Sequence, residues 1–188
     1  MTGETKLEEA RQLGLPGIVL SSNGLGVPGA GVRHRGAEFS PCRRYRYALL
    51  RAWKPEAGFA MFVGLNPSTA DEATDDPTIR RCVAFARAWG YGALCMMNLF
   101  AYRATQPADM LGQDDPVGPE NNEYLLRMAL QADVVVAAWG VHGTHGGRHN
   151  VVRAMLPGLH YLRLTKDGHP GHPLYLPATL RPVAWVTS

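Results

Sequence analysis

Apolar runs along this chain alternate with polar junctions rich in Gly and Pro, and their spacing predicts strands separated by amphipathic helices. Tyr45 to Trp53 (YRYALLRAW) and Phe59 to Leu65 flank KPEAG, the pattern of two strands joined by a short loop. Asp76-Pro77 then suits a helix start, because Asp caps the first turn and Pro tolerates a position whose N–H has no helical acceptor. Ile79, Cys82, Val83, Ala86 and Trp89 follow on one face until Gly90. A strand is expected over Ala93 to Phe100 and a second helix from Gly118-Pro119 through Leu125, Leu126, Ala129 and Leu130. Val134 to Ala138 reads as a strand, Arg148 to Leu156 as a helix, and a last central strand follows near His160. This order implies an α/β fold: a parallel sheet with helices on both faces and the Tyr45 strand as an antiparallel addition.

Residues 1 to 30 read differently. A short helix over Glu4 to Leu13 gives way to GLPGIVLSSNGLGVPGAG, where Gly and Pro oppose regular structure, so an arm is expected before a single α/β domain over 31 to 188. With 188 residues and 46% hydrophobic composition, one domain with a full core is the expectation. No apolar run is long enough to cross a membrane, and MTGETKLEEARQ lacks the basic-then-apolar order of a signal peptide. A cytoplasmic protein without membrane contact is expected, its oligomeric state open. Cys42, Cys82 and Cys95 form no CxxC pair, which points away from a disulfide framework or a cysteine zinc site; Cys82 and Cys95 are expected to be buried.

The formal charge of +3 is small but unevenly placed. Between Gly31 and Lys54 stand Arg33, Arg35, Arg43, Arg44, Arg46, Arg51 and Lys54 against the single acid Glu38, interleaved with Tyr45, Tyr47 and Trp53. Cations beside stacking rings suit nucleic acid, while a solvated hairpin face with core aromatics explains them equally well. Asp71, Glu72, Asp75 and Asp76 form an acidic cluster that would repel a polyanion and could hold Mg²⁺, although helix capping accounts for it more simply. His142, His145 and His149 in HGTHGGRH match no trusted metal-ligand spacing, and no metal or cofactor is expected. Gly140 to Gly147 is an alternative phosphate cradle before the helix at Arg148.

The chemistry-bearing residues fall at strand ends, where open α/β sheets bind ligands. MFVGLNPS, ALCMMNLF, DVVVAAWG and HYLRLTKDGHPGH each run from an apolar strand into a polar loop. In this order the motifs resemble the uracil-DNA glycosylase superfamily: VGLNPS its first motif, MMNLFAYRATQP its second-strand segment, VVVAAWG its third strand, and KDGHPGHPLYL its final loop. Over most of residues 40 to 180 the chain is also similar to a bacterial family known only as a domain of unknown function. Ser68 stands where the mismatch-specific branch has Gly, no Phe follows Pro67 to stack on a base, and no cysteine set matches the iron-sulfur branches.

The resemblance implies a three-layer α/β/α fold whose central sheet has four mostly parallel strands plus an N-terminal antiparallel strand or hairpin. It also implies an enzyme hydrolysing the N-glycosidic bond of a damaged or modified base in DNA. Asn66 would orient water, His169 would stabilise the departing base, and Asn98, with Tyr102, would hold the base edge. Ser68, Thr69, Lys166, Arg103, Arg43, Arg44 and Arg46 would meet phosphates. Two other readings stay open: a metal-dependent enzyme acting on nucleotide or phosphate-ester substrates, and a non-catalytic nucleic-acid-binding module.

Overall fold

The computed structural model describes residues 35–156 and 158–186, together with the backbone of two short strands, Val19–Ser21 (β1) and Gly24–Gly26 (β2). The helix expected at Glu4 to Leu13, Arg33 and most of the expected arm lie outside the described residues. β1 and β2 pair antiparallel, so regular structure does occur inside the Gly- and Pro-rich stretch; a two-stranded ladder satisfies backbone groups without asking for side chains.

The main sheet begins with an antiparallel hairpin, Arg35–Phe39 (β3) and Arg46–Ala52 (β4), and continues with four parallel strands. These are Phe59–Gly64 (β5), Ala93–Asn98 (β6), Val134–Ala137 (β7) and Leu159–Tyr161 (β8), closed by the antiparallel Val183–Ala184 (β9). The order across the sheet is β3-β4-β6-β5-β7-β8-β9. Every residue of β5, β6 and β7 is buried, as strands covered on both faces require, which is why they read as unbroken apolar runs. β9 carries two exposed residues and was not expected from the sequence.

Among the described residues four α-helices accompany this sheet. Pro77–Trp89 (α1) starts where Asp76 accepts a hydrogen bond from the Ile79 N–H at 2.8 Å and stops at Gly90, whose φ of 94° is a left-handed cap. The five-residue Pro107–Leu111 (α2) was not legible in the sequence. Asn121–Gln131 (α3) begins after Gly118-Pro119, and Arg148–Met155 (α4) follows the Gly140 to Gly147 stretch, which forms 3-10 turns.

Strand periodicity divides two cores. Ala60, Phe62, Leu94, Met96 and Val136 face Ile79, Cys82, Phe85 and Ala86 of α1. Met61, Val63, Cys95 and Met97 face Leu125 and Met128 of α3 and Val152 of α4. Right-handed crossovers explain the division: the chain moves one way along the sheet from β5 to β6, then the other way to β7 and β8, so its helices change face. The reversal leaves a crevice between the carboxyl ends of β5 and β7. Cys82 and Cys95 are buried, and burial pushes both thiols up, out of the reactive range. Among the described residues no helix is long and apolar enough to cross a membrane.

Candidate active site

A cleft of about 520 Å³ opens at that crevice, and all four strand-end junctions reach it. Gly64, Leu65, Asn66 and Ser68 come from the end of β5, Asn98 from β6, Trp139 to His142 from β7, and Thr165, Gly171, His172 and Tyr175 from the chain after β8. Asp76, Thr78 and Ile79 close the cleft with the start of α1, and Arg46 of β4 lines it as well.

Gly64 and Asn98 are register partners on β5 and β6. A Cβ at Gly64 would lie 2.6 Å from the Met96 Cε and 2.9 Å from the Asn98 Oδ1, so the Gly of VGLNPS makes room for the Asn of MMNLF. Asn98 is 2% exposed, and its Nδ2 is buried without a hydrogen-bond partner. Behind it, Asn121 donates from Nδ2 to the Asn98 and Leu99 carbonyls at 3.1 and 2.9 Å. Arg148 donates from Nε to the Leu99 carbonyl at 2.9 Å and from Nη2 to Asn122 Oδ1 at 2.7 Å. Burial lowers the Arg148 pKa to about 10, so the guanidinium stays charged at neutral pH. These contacts fasten the backbone at the end of β6 and leave the Asn98 amide nitrogen without a partner.

Asn66 is anchored differently. Its Nδ2 donates to the Ala104 carbonyl at 2.8 Å and the Pro67 carbonyl at 3.1 Å, which occupies both amide protons and leaves Oδ1 as the atom able to accept from water or ligand. Asp76 is the single carboxylate in the lining; its Oδ1 caps α1. His172 accepts weakly at Nδ1 from the Leu174 N–H at 3.4 Å, which puts the proton of the neutral ring on Nε2. Burial lowers the His172 pKa and Asp76 partly opposes the shift.

Beside the cleft lies a second recess of about 490 Å³, lined by Arg43, Arg44, Ser68, Thr69, Tyr102, Arg103, Ala104 and Thr105. Ser68, Ala104 and Thr105 border both, forming the wall between them.

The expected site residues other than Arg46 therefore divide into three groups. Asn66, Asn98 and Ser68 meet in the cleft. Thr69, Arg43, Arg44, Arg103 and Tyr102 meet in the recess, so Tyr102 joins the arginines rather than Asn98; it bridges to Tyr45 and lies under the Arg44 guanidinium. His169 and Lys166 line neither: His169 packs edge-on against His149 with ring centroids 6.2 Å apart, and Lys166 projects from an exposed turn. His172, one turn along the same loop, takes the place expected of His169. Arg46 is not a surface cation. It is 2% exposed, donates to the Ala70 carbonyl at 2.5 Å, and burial lowers its pKa to about 10.

The acidic cluster is spent within the protein. Asp75 pairs with Arg51 at 2.6 Å and Arg35 at 3.0 Å, Glu72 pairs with Arg43 at 3.0 Å, and Asp71 accepts from the Ala73 and Thr74 N–H groups. The basic and acidic segments thus largely neutralise each other. Among the described residues no three His, Cys, Asp or Glu side chains converge to hold a metal, and His142, His145 and His149 do not form one set. Asp76 and His172 were weighed in the sequence only as metal candidates, Asp76 also as a helix cap, and Asn121 and Arg148 were not singled out: those two act on carbonyls more than twenty positions away, which no local pattern records.

Neither the curated proteins nor the solved structures gave a match to the chain. A family model does match over residues 46–174, a span that holds the cleft from Arg46 to His172 and begins after Arg43 and Arg44. The chain belongs to the family described as Protein of unknown function (DUF1643).

Proposed function

We propose that the cleft receives a nucleobase and that the protein hydrolyses an N-glycosidic bond, in a glycosylase-like α/β/α arrangement. The observation that carries this reading is the pair of asparagines on adjacent strand ends: Asn66 with its amide protons tied back, and Asn98 with a buried, unpartnered amide nitrogen in the same cleft. Leaving a buried donor unmade costs about 1–3 kcal/mol, which a carbonyl on an incoming base would recover. The four parallel strands with helices on both faces and the ligand crevice at the chain reversal support the same reading.

In this reaction water attacks the anomeric carbon as the carbon–nitrogen bond breaks, and the bonding electrons leave with the base. Asn66 Oδ1 accepts a hydrogen bond from the water, Asp76 takes its proton, and His172 Nε2–H stabilises the departing anion. Single-turnover base release from uracil, hypoxanthine and alkylated substrates, offered in oligonucleotides and as nucleotides, tests it. Asn66→Ala is expected to lower release by about two to three orders of magnitude while sparing binding. Binding without release from any substrate would overturn the hydrolytic reading in favour of a binding module.

A further inference from the structure

We infer that the recess beside the cleft is a site for a terminal phosphate monoester, so that the ligand is a free nucleoside monophosphate and not a nucleotide within a strand. This rests on the base-binding reading of the cleft. Three guanidiniums are gathered there around two rings: Arg43 and Arg103 lie over Phe39 at 4.0 and 4.9 Å, and Arg44 over Tyr102 at 5.6 Å. Arg103 is held further by its own Nη1, which donates to the Arg43 carbonyl, while its Nε is buried without a partner. Arg43 has a φ of 55°, the single positive value at a non-glycine position among the described residues, a backbone state that costs about 1–3 kcal/mol and persists where surroundings enforce it.

Like charges placed this close call for an anion. One carboxylate, Glu72, is bonded to any of the three; Asp71 lies near Arg103, but its Oδ1 serves the Ala73 and Thr74 N–H groups. The surplus positive charge suits a monoester, which carries about −1.5 to −2 at neutral pH, better than the single charge of a diester. Ser68 and Thr69 add hydroxyls, and the shared wall of Ser68, Ala104 and Thr105 sets the recess directly beside the cleft.

A strand would need cations continuing beyond the recess, and the basic segment does not supply them. Arg35 and Arg51 are committed to Asp75, Arg46 is buried, and Lys54 stands by Gly92 at the opposite end of the sheet. The two carboxylates beside the recess, Glu72 on Arg43 and Asp71 near Arg103, further limit how many phosphates its cations could hold.

Calorimetric titration with the common nucleosides, their 5′- and 3′-monophosphates, and an oligonucleotide lacking terminal phosphates tests this. A monophosphate is expected to bind about ten- to a hundredfold tighter than its nucleoside, the scale of one or two hydrogen bonds to a charged group. Arg44→Glu, at an exposed position, should erase that advantage while leaving nucleoside affinity unchanged; Thr69→Val, also exposed, should reduce it in a protein with an unaltered melting curve. Equal affinity for nucleoside and monophosphate would overturn the phosphate site but leave the base cleft standing. Tighter binding of the oligonucleotide, with a salt dependence of several phosphates, would overturn the free-nucleotide assignment alone. No binding of any of these would overturn both readings.

Discussion

Arg51 offers the sharpest test of the idea that the basic segment fastens the cleft instead of presenting charge to a partner. Its side chain is 4% exposed; Nε meets Asp75 Oδ1 at 2.6 Å, Nη2 meets the Asp71 carbonyl at 2.6 Å, and Nη1 meets the Leu50 carbonyl at 2.8 Å. Arg51→Ala would leave Asp75 with the exposed Arg35 alone and take a donor from the Asp71 and Leu50 carbonyls. Removing one partner of a buried, hydrogen-bonded pair costs about 3–5 kcal/mol. For a chain of this size that is a fall of about 10 °C or more in Tm. Arg35→Ala breaks the outer half of the same network, where Arg35 is 47% exposed, and should cost no more than about 1 kcal/mol. Arg51→Lys should recover little, since an ammonium cannot fork across a carboxylate and two carbonyls. Urea and thermal melts of the three variants decide it, with hydrogen exchange across residues 66 to 76 reporting whether the loop loosens. An Arg51→Ala protein within about 1 kcal/mol of the parent, or one no weaker than Arg35→Ala, would refute the fastening role.

Three further outcomes follow from the site. Gly64→Ala should push the Asn98 amide out of place and cost about 1–3 kcal/mol of stability together with most of the ligand affinity, measured by melts and calorimetry side by side. Asn98→Leu removes a buried donor that has no partner, so the free protein should be as stable as the parent or more so while nucleoside binding is lost; a destabilisation above about 2 kcal/mol would instead assign Asn98 a structural bond. His149 and His172 both have pKa values lowered by burial, so the unfolded chain takes up protons before the folded one does. Their contribution is complete above the ordinary histidine value of 6.5 and is lost as pH falls through their folded values; His172→Gln should flatten the fall in stability measured between pH 7.5 and 5.

What was legible in the sequence is what local chemistry decides. Asp76, Pro77 and Gly90 bound α1 because capping and backbone freedom act within one turn, and the central strands were legible because burial on both faces leaves only apolar residues to alternate with turns. Burial of charge was not legible. Arg46 and Arg51 sit in a run of arginines that looks solvated, and only the fold shows that β4 directs both against the loop of residues 70 to 75. The same pairing dissolves the conflict between a basic segment and an acidic cluster, two features that pulled the functional reading in opposite directions while they were separate in sequence. His172 and His169 show a finer limit: in a loop with no periodicity, three positions decide whether an imidazole enters the cleft or packs on His149, and composition does not distinguish them.

Taken together, the arrangement separates holding from binding. The carbonyls at the end of β6 are gripped from behind by Asn121 and Arg148, and the loop after β5 is gripped from the side by Arg46 and Arg51. Residues lining the cleft are left with unused capacity at Asn98 Nδ2, Asn66 Oδ1 and His172 Nε2. Fixing a polar group while leaving it unpaired raises the energy of the empty protein and spares the reorganisation that a mobile group would require when ligand arrives, which is how electrostatic preorganisation lowers a barrier. The unpartnered Asn98 amide nitrogen, set against a glycine that keeps the neighbouring strand out of its way, supports the proposed reading of the cleft as a site for a ligand bearing an acceptor at that point.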